Sequence, residues 1–398
     1  SARFYDQAFE WRFEFPEALD GEGDFTGFDV LIANPPYGTI LSSNEKQYLK
    51  ERYYSVKGNY DVYSAFIELG EKIGKSSSFT SYITPVSWLT GSNYKWLRKH
   101  LKNKRTIVQA IILPYDVFED AYIDTGIYLF QNRRSNAYIS KVFEFHPRSK
   151  ITEDELSDIN WESLPSNYWE KEDKHEIVFN PKYYEIKNKA LDGSILLEDI
   201  SDSTRGVLAS DSDIYKQKDE DLKRYFIGDL YRYTLKEKYT WIDYGDNLKE
   251  KPSKYSYFKG ERLLIRRLIS RQFRMMGTFT KKEFVNKKDI YNILLTDDFF
   301  DPKYILALIN SKFFSYLTVG GSSLASKDDF SQLTLTDIRT LPIKKTNHTN
   351  QKSLAEIANQ ILTAKEENPD ADTCALEAEI DRLVYELYGL SEEEIGIV

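Results

Sequence analysis

Residues 34–37 read Asn-Pro-Pro-Tyr and stand directly after an apolar run, Phe28-Asp29-Val30-Leu31-Ile32-Ala33. An amide, two prolines and a phenol in that order can hold a planar amine. Each proline fixes φ at about −65° and supplies no N–H. Each also pushes the residue before it toward extended geometry. Carbonyls in such a corner have few local donors, so they stay free to accept hydrogen bonds from a ligand. Asn34 adds a side-chain oxygen and Tyr37 a ring face for stacking. The chemistry this set can do is to grip an exocyclic NH2 group, with Asn34, Pro35, Pro36 and Tyr37 as the working residues. The plainer reading is a turn that Asn initiates. The apolar run ahead of the corner favours the grip.

The elements that must hold this corner follow from the periodicity around it. Residues 28–33 read as a short buried strand. Ahead of them, Phe9-Glu10-Trp11-Arg12-Phe13-Glu14-Phe15-Pro16 alternates like a strand, and Gly21-Glu22-Gly23-Asp24 makes a turn. Residues 59–75 have Tyr63, Phe66, Ile67 and Gly70 at helical spacing. Strands are expected at 78–86, 106–113 and 126–130, with a basic helix at 93–102. Strands alternating with helices predict an α/β layer with a largely parallel sheet. This gives a first domain over residues 1–145.

Residues 146–200 are polar and irregular, with Pro147, Pro165 and Pro181, and read as a linker region. From 201 the texture changes. Short strands at 224–229, 238–243, 261–267, 274–280 and 291–296, then an apolar helix from Tyr304 to Leu317, predict an α+β domain over 201–345. Residues 346–398 read as a helical segment. Its second helix carries Leu376, Ile380, Leu383, Val384 and Leu387 on one face, and Gly389 is a natural stop.

With 398 residues the chain is long enough for two or three domains. One cysteine, Cys374, excludes a disulfide scaffold and fits a reducing, cytoplasmic setting. The histidines, His100, His146, His175 and His348, are scattered and have no cysteine partners, so no metal site is expected. No apolar stretch approaches a membrane span. The net charge of −9 argues at first against a nucleic-acid partner. Its distribution argues the other way. Residues 98–105 read Arg-Lys-His-Leu-Lys-Asn-Lys-Arg, and a second basic stretch holds Arg262, Arg266, Arg267, Arg271 and Arg274. Local basic surface attracts phosphates even on an acidic protein. The alternative for both stretches is an ordinary solvated face.

The stretch Asp29-Val30-Leu31-Ile32-Ala33-Asn34-Pro35-Pro36-Tyr37 resembles the catalytic motif of amino-group DNA methyltransferases. Gly58-Asn59-Tyr60-Asp61-Val62-Tyr63 resembles the next segment of that family, a helix start bordering the methyl-donor pocket. Ser81-Tyr82-Ile83-Thr84-Pro85 is similar to its following strand. Val117-Phe118-Glu119-Asp120 and Thr125-Gly126-Ile127-Tyr128 are similar to the segment whose aromatic packs against a flipped base. The order, catalysis before specificity, is that of gamma-type N6-adenine enzymes. Residues 263–267, 282–286, 304–311 and 341–343 resemble the target-recognition domain of long single-chain type II, IIG-like restriction–modification enzymes. Glu379-Ile380-Asp381-Arg382-Leu383 is similar to that family's C-terminus.

The resemblance implies a partial Rossmann-like methyltransferase domain, then an α+β target-recognition domain and C-terminal helices. It implies transfer of a methyl group from S-adenosylmethionine to the N6 of an everted adenine in double-stranded DNA. Tyr37 and Phe118 would stack on the base. Asp61, Tyr63 and Glu10 would border the donor. Arg262, Arg266, Arg267, Arg271 and Arg274 would contact DNA. One departure stands out: the family's glycine-rich donor-binding turn precedes the Asn-Pro-Pro-Tyr motif, and residues 1–33 hold no such turn. The chain is therefore expected to be the C-terminal portion of a larger enzyme, inactive alone, with its donor site completed by the missing N-terminal region. Two other readings stay open. One is a DNA-binding specificity module without its own catalysis. The other is an N-methyltransferase acting on RNA or on protein glutamine, which the second domain disfavours.

Overall fold

Helix-period segments between strand-length apolar runs set the architecture of the first part of the chain. The computed structural model describes residues 9–58, 60–114, 117–118, 123–145, 151–152, 154, 157, 159–170, 176–269, 273–319 and 332–398. The chain divides into two compact units, Ser1–Pro181 and Lys182–Val398.

In the first unit the strands are β1 (Phe28–Ala33), β2 (Gly74–Pro85), β3 (Thr106–Ile112), β4 (Thr125–Gln131), β5 (Ile139–Glu144) and β6 (Glu162–Pro165). They form one six-stranded sheet in the order β1-β2-β4-β3-β5-β6. The pairs β1/β2 and β3/β5 are parallel. The pairs β2/β4, β3/β4 and β5/β6 are antiparallel. The sheet is therefore mixed, not largely parallel as expected. Only residues 113–124 join β3 to β4, so β4 folds back and inserts antiparallel between β2 and β3.

Two further expectations are corrected here. β1 is not a buried strand but the edge of the sheet, with Val30 59% and Ile32 81% exposed. Residues 9–16 do not form a strand. They fold into a helical turn, Trp11–Glu14, and a 3-10 turn, Pro16–Ala18. The alternating aromatics reflect a local cluster instead, in which Trp11 packs against Phe9, Phe15, Phe25 and Phe28.

The helix Tyr63–Ile73 buries one face, including Tyr63, Ala65, Ile67 and Gly70. A side chain at Gly70 would collide with the Tyr82 hydroxyl, so glycine permits the close helix–sheet approach. The basic helix Lys95–Lys104 is split by burial. Leu97, Arg98, His100 and Leu101 face inward, while Lys95 and Lys104 are exposed. Arg98 donates to the carbonyls of Trp88 and Gly91, and Arg105 to that of Ile67. Half of this basic cluster is thus interior structure rather than a phosphate-binding face.

Of residues 146–200, read above as a connection, Glu162–Pro165 adds β6 to the first sheet. The helix Pro181–Leu191 contributes Ile186 and Ala190 to the core of the second unit. That unit holds a four-stranded antiparallel sheet in the order Gly277–Thr280, Arg262–Arg266, Ile290–Leu295, Ser201–Arg205. The apolar helix Pro302–Asn310 packs on it, and the helices His348–Glu367 and Cys374–Tyr388 complete the same core through Leu354, Ala358, Ile361, Ile380 and Val384. Gly389 ends the last of these with φ +67. A second four-stranded sheet, built on Lys223–Phe226 and Tyr239–Ile242, has a smaller core around Tyr225, Ile242 and Phe258. No helix among the described residues is long and apolar enough to cross a membrane. No group of three or more His, Cys, Asp or Glu among them could hold a metal ion.

Candidate active site

The Asn34-Pro35-Pro36-Tyr37 corner lies immediately beyond the C-terminal end of β1, where Ala33 is still in register with Tyr82 of β2. Pro35 is buried and anchors the corner, while Asn34 and Pro36 are exposed. Among the described residues nothing hydrogen-bonds the Asn34 side chain or the carbonyls of Pro35 and Pro36. The Asn34 amide, on an exposed residue, is thus unpartnered among the described residues, as is the carbonyl of the buried Pro35. Tyr37 is half-buried, which raises its hydroxyl pKa. Its ring meets that of Phe118 edge-on, with centroids 6.5 Å apart and planes at 64°. The structure thus brings together the two aromatics expected to stack on a base.

After Tyr37 the chain turns through Gly38 at φ +70, a conformation that favours glycine. The Gly38 N–H donates to Asp61 Oδ2 at 2.9 Å. The other Asp61 oxygen accepts from the Val62 N–H at 2.7 Å, at the start of the helix Tyr63–Ile73. Both carboxylate oxygens are thus engaged by backbone, and Asp61 is the clamp between the corner and the helix. Tyr63 is fully buried, with its hydroxyl 3.3 Å from Ser87 Oγ and its ring stacked on Tyr94 at 5.5 Å. Burial raises its hydroxyl pKa strongly. It offers no exposed surface to a donor. Glu10 caps the Trp11–Glu14 turn by accepting from the Arg12 N–H at 3.4 Å, and no hydrogen bond among the described residues links it to Asp61 or Tyr63.

Whether the described residues can hold S-adenosylmethionine is answered by their partners. Asp61 and Tyr63 are engaged within the protein. Gly21 and Gly23 sit in a turn built on Asp20, whose carboxylate accepts from the N–H groups of Glu22 and Asp24. No strand-to-helix glycine turn occurs in residues 9–33. Of the expected donor-bordering residues, Tyr63 is sealed in the core and Glu10 serves as a local cap, while Asp61 is partly exposed and has surface to offer a donor.

In the second unit the arginines separate. Arg262 is 1% exposed. It donates to Asn292 Oδ1, to the Gly260 carbonyl and to the Phe284 carbonyl at 3.2–3.3 Å, and it lies over the Phe284 ring. Burial pushes its pKa down to about 10. Arg262 has no surface for a phosphate, which corrects the expectation of DNA contact. Arg274 is half-buried and donates to the Asn310 carbonyl at 2.6 Å. Arg266 and Arg267 are partly exposed, and Arg267 lies 3.6 Å from Asp289. Arg271 lies outside the described residues.

Sequence reasoning missed the helix Ser43–Arg52, just beyond the corner. It has no apolar periodicity to reveal it. The signal that marks it is its capping box, Ser42-x-x-Glu45: Ser42 Oγ accepts from the Glu45 N–H, and Glu45 accepts from the Ser42 N–H at 2.8 Å.

The Eco57I restriction-modification methylase family matches residues 2–118, and the TaqI-like C-terminal specificity domain matches residues 223–343. The chain is 31% identical to an inferred type II restriction enzyme and methyltransferase of Methanocaldococcus jannaschii, over 96% of its own length and 32% of the relative's. It therefore spans about a third of that curated relative. A type II methyltransferase of Thermus thermophilus is 28% identical over 83 residues, covering 19% of each chain. Among solved structures, the type IIL restriction–modification enzyme MmeI in complex with DNA shares the fold. Its TM-score is 0.62 at 12% identity, over 96% of this chain and 57% of that one.

Proposed function

We propose, from the match of residues 2–118 to restriction–modification methylases and of residues 223–343 to a TaqI-like specificity domain, that the chain is the base-gripping and sequence-reading portion of a site-specific DNA adenine-N6 methyltransferase. The observation that carries this reading is the unpartnered acceptors at the corner among the described residues, with the Tyr37 and Phe118 rings in contact beside them. The adenine N6 lone pair is delocalised into the ring, so the amine is a weak nucleophile. Hydrogen bonds from its two N–H groups to Asn34 Oδ1 and the Pro35 carbonyl favour a more tetrahedral, electron-rich nitrogen. Preorganised acceptors of this kind are worth about 3–4 kcal/mol in a transition state. The base must leave the duplex to reach them. Stacking on Tyr37, with Phe118 at its edge, would replace its lost neighbours, at about 1–3 kcal/mol per base.

S-adenosylmethionine would supply the electrophilic methyl group. Because residues 9–33 hold no strand-to-helix glycine turn, we assign the main part of that site to polypeptide outside this chain. Two observations support the assignment. The chain spans about a third of its relative from Methanocaldococcus jannaschii. β1 is the last strand of its sheet among the described residues, and Val30 and Ile32 on one of its faces are exposed, as expected where further polypeptide covers that face. In the second domain Arg266, Arg267 and Arg271 are the proposed DNA contacts, with Arg274 able to contribute only in part.

The test is methylation of cognate duplex by the full-length enzyme carrying Asn34→Ala. Methyl transfer should be lost while DNA binding is kept. A catalytically silent specificity module would bind DNA and give no methylation even with Asn34 in place.

A further inference from the structure

The helix Ser43–Arg52 is ten residues long and buries none of them. Isolated helices shorter than about 12–15 residues are marginal in water, and most protein helices are held by an apolar face packed on a core. This one has no such face. Just ahead of it stands Ile40, 96% exposed, the most exposed of the large apolar side chains described. The segment is fixed at both ends. Gly38 is clamped to Asp61, and the Arg52 carbonyl accepts from Lys72 Nζ at 2.5 Å. Between those ties it presents its side chains outward, a few residues from the corner that would receive a base.

The charges on the helix are not equivalent. Glu45 is occupied by its capping box with Ser42, and Glu51 accepts from Gln47 at 2.9 Å. Among the described residues no carboxylate pairs with Lys46 or Lys50. The carboxylates are thus tied into local hydrogen bonds with neutral groups, and the helix carries three cations against two carboxylates, with Lys46 and Lys50 one helical turn apart.

We propose that residues 39–52 are a DNA-engaging arm: Ile40 enters the duplex where the target base has left the stack, and Lys46 and Lys50 contact the flanking phosphates. The inference rests on the function proposed above and extends it from the pocket to the duplex. An everted nucleotide stays tethered to its backbone, so the gap it leaves lies close to the mouth of the pocket. Ile40 follows Tyr37 by three residues, which places their Cα atoms within about 11 Å. An apolar side chain inserted between base steps is an established way to hold unstacked DNA. Lysines at phosphates supply the salt-dependent remainder of the affinity.

The test uses the full-length protein and a duplex carrying its site, taken from methylated positions in DNA of cells that express it. The target adenine is replaced by 2-aminopurine, whose emission rises on leaving the stack. Ile40→Ser should lower both emission and affinity, the latter on the order of tenfold, and a mismatch opposite the target should restore most of the loss because less unpairing is then required. Lys46→Ala with Lys50→Ala should weaken both duplexes equally and flatten the salt dependence by about two units of slope. Thermal melts of the variants should match the parent, since no altered side chain is buried. An Ile40→Ser enzyme that matches the parent on the intact duplex overturns the arm. So does an equal loss on both duplexes with a lowered melting temperature, which would place the segment against other polypeptide instead. If Asn34→Ala abolishes methylation while Ile40→Ser changes nothing, the arm falls and the proposed function stands. If the unaltered enzyme methylates nothing, both fall.

Discussion

The Gly38 N–H and the Asp61 carboxylate, 23 residues apart in sequence, meet at 2.9 Å. This bond ties the corner that ends β1 to the start of the helix Tyr63–Ile73. It makes Asp61 a positioning residue, since each of its oxygens holds a backbone N–H, one from the corner and one from the helix start. Asp61→Ala should release the corner and lower single-turnover methylation by the full-length enzyme about tenfold, the scale of one hydrogen bond to a charged group. Asp61→Asn keeps one acceptor and should recover part of the rate. Unchanged rates in both variants would remove the clamp from the account.

Arg262 and Arg267 should behave oppositely. Arg262→Ala strips a buried guanidinium from the Asn292, Gly260 and Phe284 acceptors and leaves a cavity against the Phe284 ring. Loss of about 2–4 kcal/mol in urea unfolding is expected. Arg267→Ala should leave stability within about 0.5 kcal/mol and lower the salt slope of DNA binding by about one unit. Filter binding at several salt concentrations checks the second half. An unchanged affinity and slope would take Arg267 out of the interface.

Acid should loosen the first unit through Glu71. Burial alone would raise this carboxyl, but the His100 ring, its Nε2 2.5 Å from Glu71 Oε2, with the charges of Lys104 and Arg105, holds it below the ordinary carboxylate range. A depressed carboxyl contributes its stability above its unfolded pKa, about 4.3, and loses it as pH falls through the lower folded value. Glu71→Gln should therefore be less stable than the parent at pH 6, and the difference should close on acidification below about pH 4. A gap that is constant with pH would contradict this origin.

The open edge of β1 gives a prediction about the chain on its own. Val30 and Ile32 leave exposed apolar surface on one face of this terminal strand, the kind that associates with other chains. Residues 1–398 expressed alone should self-associate with rising concentration, and Val30→Lys with Ile32→Lys should suppress this in sedimentation velocity. A parent chain that stays monomeric at high concentration would show that the edge is protected.

How much of this was legible in the sequence follows from what each signal measures. Apolar periodicity found β2, β3, β4 and the helices Tyr63–Ile73 and Cys374–Tyr388, because each buries one face or both. It placed β1 but misjudged its cover, since an apolar run records that a strand is to be buried and not which segment does it. Alternating aromatics at 9–15 mimicked a strand because Trp11 gathers its neighbours into a cluster at a similar spacing. Helix Ser43–Arg52 was silent because it buries nothing. Arg98, Arg105 and Arg262 looked like surface charge, and their burial depends on carbonyls distant in sequence, which no local pattern records. The Asn-Pro-Pro-Tyr corner was readable because its chemistry is contained in four consecutive residues.

The central claim is that Asn34 and the Pro35 carbonyl hold the amine of an everted adenine. The most direct measurement is single-turnover methyl transfer by the full-length enzyme with Asn34→Ala, on a duplex whose affinity for the variant is measured in parallel. The rate should fall by about two orders of magnitude or more, with DNA affinity within a fewfold of the parent. Methylation at the parental rate, or loss of rate that merely tracks loss of binding, would contradict it.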